Sequence, residues 1–177
     1  MEAQLALGAL LMSTGAVATD VRTAKIPNWL TCGGLAAGLL ARVFLAGRHG
    51  LETGIFGALL GGAVLFLPFL ARGIGGGDVK LMAAVGAWIG MEHALALILA
   101  TAIAGGALAL GYVVVHRRTA DTIWRVASVI RFHLVSGIQP HADLHVHPTD
   151  SIHFPYSLAI AAGTFFVLVS ISTSVWR

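Results

Sequence analysis

Apolar residues occupy this chain in long stretches separated by short polar segments. A helix that crosses a bilayer needs about 20 predominantly apolar residues. Four runs meet that requirement: Ala3–Thr19, Trp29–Ala46, Thr53–Leu70 and Pro155–Val175. A fifth, Val79–Val115, would reach ~55 Å as one helix, against a hydrocarbon core of ~30 Å. Glu92 and His93 interrupt it, and dividing it there yields Val79–Gly90 and His93–Val115. The pattern predicts an all-α, polytopic membrane protein with six transmembrane helices, forming a single membrane-embedded domain over residues 1–177.

The segment Val79–Gly90 is short, ~18 Å as a helix. With Glu92 and His93 at the far interface, Asp78 at its other end sits slightly inside the bilayer. Non-helical backbone at that depth must pack in protein or line a cavity, and Gly75, Gly76 and Gly77 suit such an entry. Glycines four apart recur at Gly34 and Gly38, Gly57 and Gly61, and Gly86 and Gly90. Small residues at that spacing let helix backbones approach in lipid, so tight helix contacts are expected there. Residues 116–154 form the one long polar stretch. Ile123, Val126, Ile130 and Leu134 recur in it at helical spacing, which predicts an amphipathic helix on the cytoplasmic face. "QPHADLHVHP" follows; its His141, His145 and His147, with Asp143, are read as a solvated loop rather than a metal cluster.

Composition agrees with this reading. Only 11% of residues are charged and 57% are hydrophobic, whereas soluble domains carry about 25% charged residues. The single cysteine, Cys32, excludes an internal disulfide and a multi-cysteine zinc site, and it reads as a small buried hydrophobe. The opening "MEAQ" lacks the positive n-region of a secretory signal, so the first run is read as a retained helix. Lys and Arg collect in cytoplasmic loops. With the N-terminus outside, Arg22, Lys25, Arg72, Lys80, Arg117, Arg118, Arg125 and Arg131 face inward, Arg48 and Arg177 outward, and Arg42 is undecided. Both termini are then periplasmic, and Asp20 and Asp78 share the cytoplasmic side.

Acidic residues at membrane depth default to a functional hypothesis. Glu92 is explained by solvation in an outer turn. Asp20 ends the first run and Asp78 opens the fourth, so a bundle can bring them together. Plain structural readings also stand: Asp78 as an N-cap, Asp20 as the exit of a helix into water. A carboxylate at a helix C-terminus meets the negative end of the dipole, however, while one at an N-terminus meets the positive end. Two acids in such unlike settings fit general acid–base hydrolysis through a shared proton, with Asp78 as base and Asp20 as acid. Glycines beside Asp78 would admit an extended peptide and permit unusual dihedrals.

Three motifs carry a family resemblance. Gly75-Gly76-Gly77-Asp78 matches the GxGD signature of intramembrane aspartyl proteases, with Val79 and Lys80 following as in prepilin peptidases. "DVRTAKIPNWLT" resembles the first aspartate motif of those peptidases, with Asp20 the matching acid and Ile26, Pro27 and Asn28 behind it. "FPYSLAIAAG" resembles their last-helix motif around Pro155, Tyr156 and Ala159. The chain resembles the short, tight-adherence (Flp-type) members. The resemblance implies a bacterial inner-membrane peptidase that cleaves the leader from prepilins and pseudopilins at the cytoplasmic face. It implies Asp20 and Asp78 as the catalytic pair. Gly75, Gly76, Gly77, Lys80, Pro27, Asn28, Pro155 and Tyr156 would bind substrate or shape the site. Larger relatives also methylate the new N-terminus and carry an added region with paired cysteines; lacking both features, this sequence puts methyltransferase activity in doubt. Two carboxylates and water suffice, so no metal or cofactor is expected, and the partners are the prepilin substrate and lipid, not nucleic acid. The oligomeric state stays open. The competing readings are a proton-coupled transporter using the same carboxylates and a structural subunit of a secretion apparatus.

Overall fold

A computed structural model describes residues 2–70, 74–115 and 156–174, without the side chains of 113–115 and 174. The expected amphipathic helix, the histidine-rich loop, Arg72 and Pro155 lie outside these residues. Everything described is helical apart from short connections: α1 (Glu2–Thr23), α2 (Asn28–Leu70), α3 (Gly76–Ile89), α4 (Met91–Val115) and α5 (Tyr156–Ser174). Four of these, α1, α2, α4 and α5, are long and apolar enough to cross a membrane. The chain divides into two compact units, Met1–Gly105 with Pro155–Arg177, and Gly106–Phe154. The description below concerns the first.

α2 is 43 residues long and is not one rod. Gly47 inside it has φ 59° and ψ −141°, a conformation open to glycine and costly for other residues. Arg42 Nη1 donates to Thr53 Oγ1 at 2.9 Å. Eleven residues of straight helix would separate them by ~16 Å, so the chain reverses at Gly47 and α2 is a helical hairpin. The sequence predicts a polar connection between Ala46 and Thr53; a single glycine makes the turn instead. Proline leads α2: the Pro27 carbonyl accepts from the Leu30 and Thr31 N–H groups at 3.1 and 3.4 Å.

α3 is the central helix. Its Leu81, Met82, Ala84, Val85, Ala87 and Ile89 are all at most 1% exposed, and it packs on α1, α5 and above all α2. The second arm of α2 runs antiparallel to it. A Cβ on Gly54 would lie 3.2 Å from the Ala87 carbonyl oxygen, one on Gly57 would strike that of Gly86, and one on Gly61 would come within 2.7 Å of that of Met82. The first arm receives Trp88, whose indole N–H donates to the Gly34 carbonyl at 2.8 Å and whose ring fills the space left by Gly8 and Gly38. The paired glycines thus serve close helix contacts. Gly90, whose Cα a Cβ on Gly57 would approach to 2.9 Å, also ends α3 with φ 80°, at the bound the sequence gives the first half of the long fifth run, while the second half starts earlier than expected, at Met91.

At this end of α3 the carbonyls of Trp88 and Ile89 accept from Arg42 at 3.1 and 2.5 Å. Arg42 is 3% exposed and also pairs with Glu2 at 3.1 Å. The start of α1, the Gly47 turn and the end of α3 therefore share one end of the bundle. Cys32, expected to be buried, is exposed on the outer face of α2.

Candidate active site

The opposite end of the bundle collects the residues of the three motifs. α1 continues past Asp20 to Thr23, then leaves through Ala24 at φ 52°, whose N–H donates to the Asp20 carbonyl at 2.8 Å. Asp20 thus stands in the last turn of α1, its side chain turned inward and the residue 3% exposed. Ser157, fully buried in the first turn of α5, donates from Oγ to Asp20 Oδ2 at 2.6 Å.

Asp78 is the third residue of α3 and is half-buried. It is not the N-cap expected of the plain structural reading. Gly75 holds that position, with extended backbone (φ −78°, ψ 149°) and no side-chain cap, and its carbonyl accepts from the Asp78 N–H at 3.1 Å. The start of α5 therefore meets the last turn of α1 through Ser157. α1 and α3 are antiparallel, so the end of one and the start of the other meet here.

The glycines before Asp78 are crowded rather than unusually bent. A Cβ on Gly77 would lie 3.3 Å from Ile26 Cβ, one on Gly76 3.3 Å from Phe69 Cε2, and one on Gly75 3.3 Å from Asp78 Oδ2. None of the three has positive φ; among the described residues only Gly47, Gly90 and Ala24 do. The expectation of special dihedrals is corrected: these positions are small so that the segment can lie against the Ile26–Pro27 connection and the end of α2. Lys80 Nζ donates to Asn28 Oδ1 at 2.9 Å on the exposed side of the same contact. The first and second motifs are thereby held to each other, through Ile26–Gly77 and Asn28–Lys80, and the third joins them through the Ser157–Asp20 hydrogen bond. Among the described residues no cluster of metal-ligating side chains occurs.

Sequence reasoning missed Ser157 and Arg42. Ser157 lies inside the quoted last-helix motif, and its signal was a small hydroxyl opening an apolar run. Arg42 was visible as a lone charge deep in an apolar run, but three of its four partners are 40 or more residues away.

A bundle of helices long and apolar enough to cross a membrane, with one acid in the last turn of α1 and another in the first turn of α3, defines the class of a polytopic membrane protein. Residues 6–110, more than half the chain and including both acids, match the type IV leader peptidase family, and the chain belongs to that family. It is 38% identical over 114 residues to a prepilin leader peptidase/N-methyltransferase of Burkholderia pseudomallei, covering 61% of this chain and 36% of that protein. Proteins of the same description from Escherichia coli and Dickeya chrysanthemi are 38% and 34% identical over 117 and 124 residues, covering 59% and 63% of this chain and 49% and 42% of theirs. The matched region spans less than half the length of each of these relatives. No solved structure gives a significant match. The transporter reading gains no support from these relationships.

Proposed function

We propose that the chain is an aspartyl endopeptidase, a prepilin leader peptidase that uses Asp20, Asp78 and a water molecule. Its substrates are Flp-type prepilins and pseudopilins, whose basic leader lies in the cytoplasm and whose following apolar helix lies in the bilayer. What supports the reading is that Asp20, held by Ser157 in the last turn of α1, and Asp78, in the first turn of α3, lie at the same end of the bundle, in a chain whose family is that of leader peptidases. The relatives' description includes a second, methyltransferase activity, but the match leaves out more than half of each, and only the peptidase is proposed here.

In this mechanism one carboxylate accepts a proton from water as the oxygen attacks the scissile carbonyl carbon. The other, protonated, donates a hydrogen bond to the carbonyl oxygen. Collapse of the tetrahedral intermediate breaks the C–N bond, the departing nitrogen takes a proton, and a new carboxyl and a new amine result. Close carboxylates cannot both ionise cheaply, so the pair works with one shared proton. The small residues before Asp78 let that segment lie close against Ile26 and Phe69, and Lys80 with Asn28 and Pro27 shapes its exposed side. Both arms of α2 and the short α3 are taken as crossing segments along with α1, α4 and α5, giving six passes in a bacterial inner membrane, with the dyad at the cytoplasmic face.

Coexpression with a Flp-type prepilin tests this directly. Wild type yields a leader-shortened product, whereas Asp20→Asn and Asp78→Asn each reduce cleavage at least ~1,000-fold, the order contributed by positioned acid–base groups. Asn keeps the shape and hydrogen-bonding reach of Asp, so the loss reports proton chemistry. Cleavage that survives both single substitutions refutes the mechanism.

A further inference from the structure

The geometry points to Ser157 as a positioning residue for peptide hydrolysis, one that fixes the Asp20 carboxyl from the first turn of α5. This inference rests on the peptidase reading and deepens it. The Ser157 hydroxyl is fully buried and donates at 2.6 Å to an acid that is itself 3% exposed. A short hydrogen bond to a carboxyl oxygen in a water-poor site is strong and directional, so it restricts rotation of the Asp20 side chain about its terminal bond.

The partners are 137 residues apart in sequence and sit on different helices, so the bond is also a tie between α1 and α5. Tyr156 is fixed independently: its ring lies against Gly105 of α4, where a Cβ would come within 3.0 Å of Cε2. Ala159 and Ile160, one turn further along α5, are completely buried and anchor the helix. The α5 start is therefore held by packing on its own account, and this makes it a reference against which Asp20 is placed. Acid–base groups displaced by a fraction of an ångström lose rate without losing substrate affinity.

The test is steady-state cleavage of a prepilin by detergent-solubilised full-length chain. Ser157→Ala removes the hydroxyl without adding bulk, and kcat is expected to fall about tenfold, the equivalent of one charge-assisted hydrogen bond, with KM within twofold. Ser157→Cys, similar in shape and a weaker donor, should give an intermediate kcat. Thr164→Ala removes another fully buried hydroxyl of α5, one that bonds only within its own helix at 2.8 Å, and it should leave kcat near wild type. A Ser157→Ala kcat within twofold of wild type overturns the proposal, as does an equal loss in Ser157→Ala and Thr164→Ala, which would assign the effect to helix packing. Should Ser157→Ala fail to fold, Ser157→Cys alone decides: wild-type kcat overturns the proposal, and a reduced kcat at unchanged KM upholds it. Absence of cleavage by wild type sinks the peptidase reading itself, a different result from any of these.

Discussion

Arg42 is the residue whose environment departs furthest from its surroundings in the sequence. A guanidinium 3% exposed has four hydrogen-bonded partners: the Trp88 and Ile89 carbonyls, Thr53 and Glu2. The last carbonyls of a helix have no partner within it, and they carry the negative end of its dipole. Arg42 answers both needs at the C-terminus of α3. Its site exists because Gly90 has no side chain; a Cβ there would strike the guanidinium. Arg42→Met should therefore cost about 3 kcal/mol, with the partly exposed Glu2 carboxylate recovering some solvation. Arg42→Lys should recover only part of that loss, because an ammonium cannot span the fork of acceptors. Thermal unfolding in detergent, followed by far-ultraviolet circular dichroism, measures both. An unchanged midpoint in Arg42→Met would mean that the end of α3 is held by packing alone.

Between helices, the decisive contact is backbone against backbone. A Cβ on Gly57 would strike the Gly86 carbonyl oxygen, and one on Gly86 would strike that of Gly57. Lipid supplies no hydrophobic drive between helices, so close packing of this kind holds them together. Gly57→Ala and Gly86→Ala are each expected to destabilise by about 1–3 kcal/mol, the range for overpacking. Gly15→Ala and Gly33→Ala meet nothing within 4 Å and should be neutral or slightly stabilising through helix propensity. Unfolding midpoints of the four variants check the contrast, and equal losses would remove the α2–α3 crossing from the account. At this scale the sequence was informative for a definite reason. Glycines four apart in an apolar run have few roles in lipid other than close contact, so Gly57 and Gly61 could be read before their partners were known. Their partners could not, because spacing along one helix says nothing about which helix it meets. The acids were legible for the same reason: charge is rare in such a chain, and Asp20 and Asp78 stand out at helix ends. Ser157 did not stand out, since a serine at the mouth of an apolar helix is ordinary until its partner is seen. Gly47 was passed over in favour of a polar loop, because one left-handed residue reverses a chain without any local excess of polar residues.

For the molecule as a whole, the bundle has two chemically distinct ends, and the α2 hairpin relates them. Asn28, at the start of α2, contacts Lys80 beside the acids, whereas Arg42 and the Gly47 turn lie with Glu2 at the other end. The first arm of α2 therefore runs the full depth of the bundle, and its two flanks must face opposite compartments if the bundle spans a bilayer. Lys25 and Arg48 report those flanks; both are exposed. The Arg48–Glu52 pair, at 2.9 Å, is open to solvent on both sides, so breaking it should cost well under ~1 kcal/mol. In a Cys32→Ser background, which removes the one native thiol, Arg48→Cys should react with a membrane-impermeant maleimide in intact cells. Lys25→Cys should react only after permeabilisation. Labelling of both from one side would mean that the first arm does not cross. The reverse pattern would turn Asp20 and Asp78 outward, away from any substrate leader held in the cytoplasm, and the site would have to act on something else. The excess of Lys and Arg on the Lys25 side argues for the first outcome, because positively charged loops are retained in the cytoplasm.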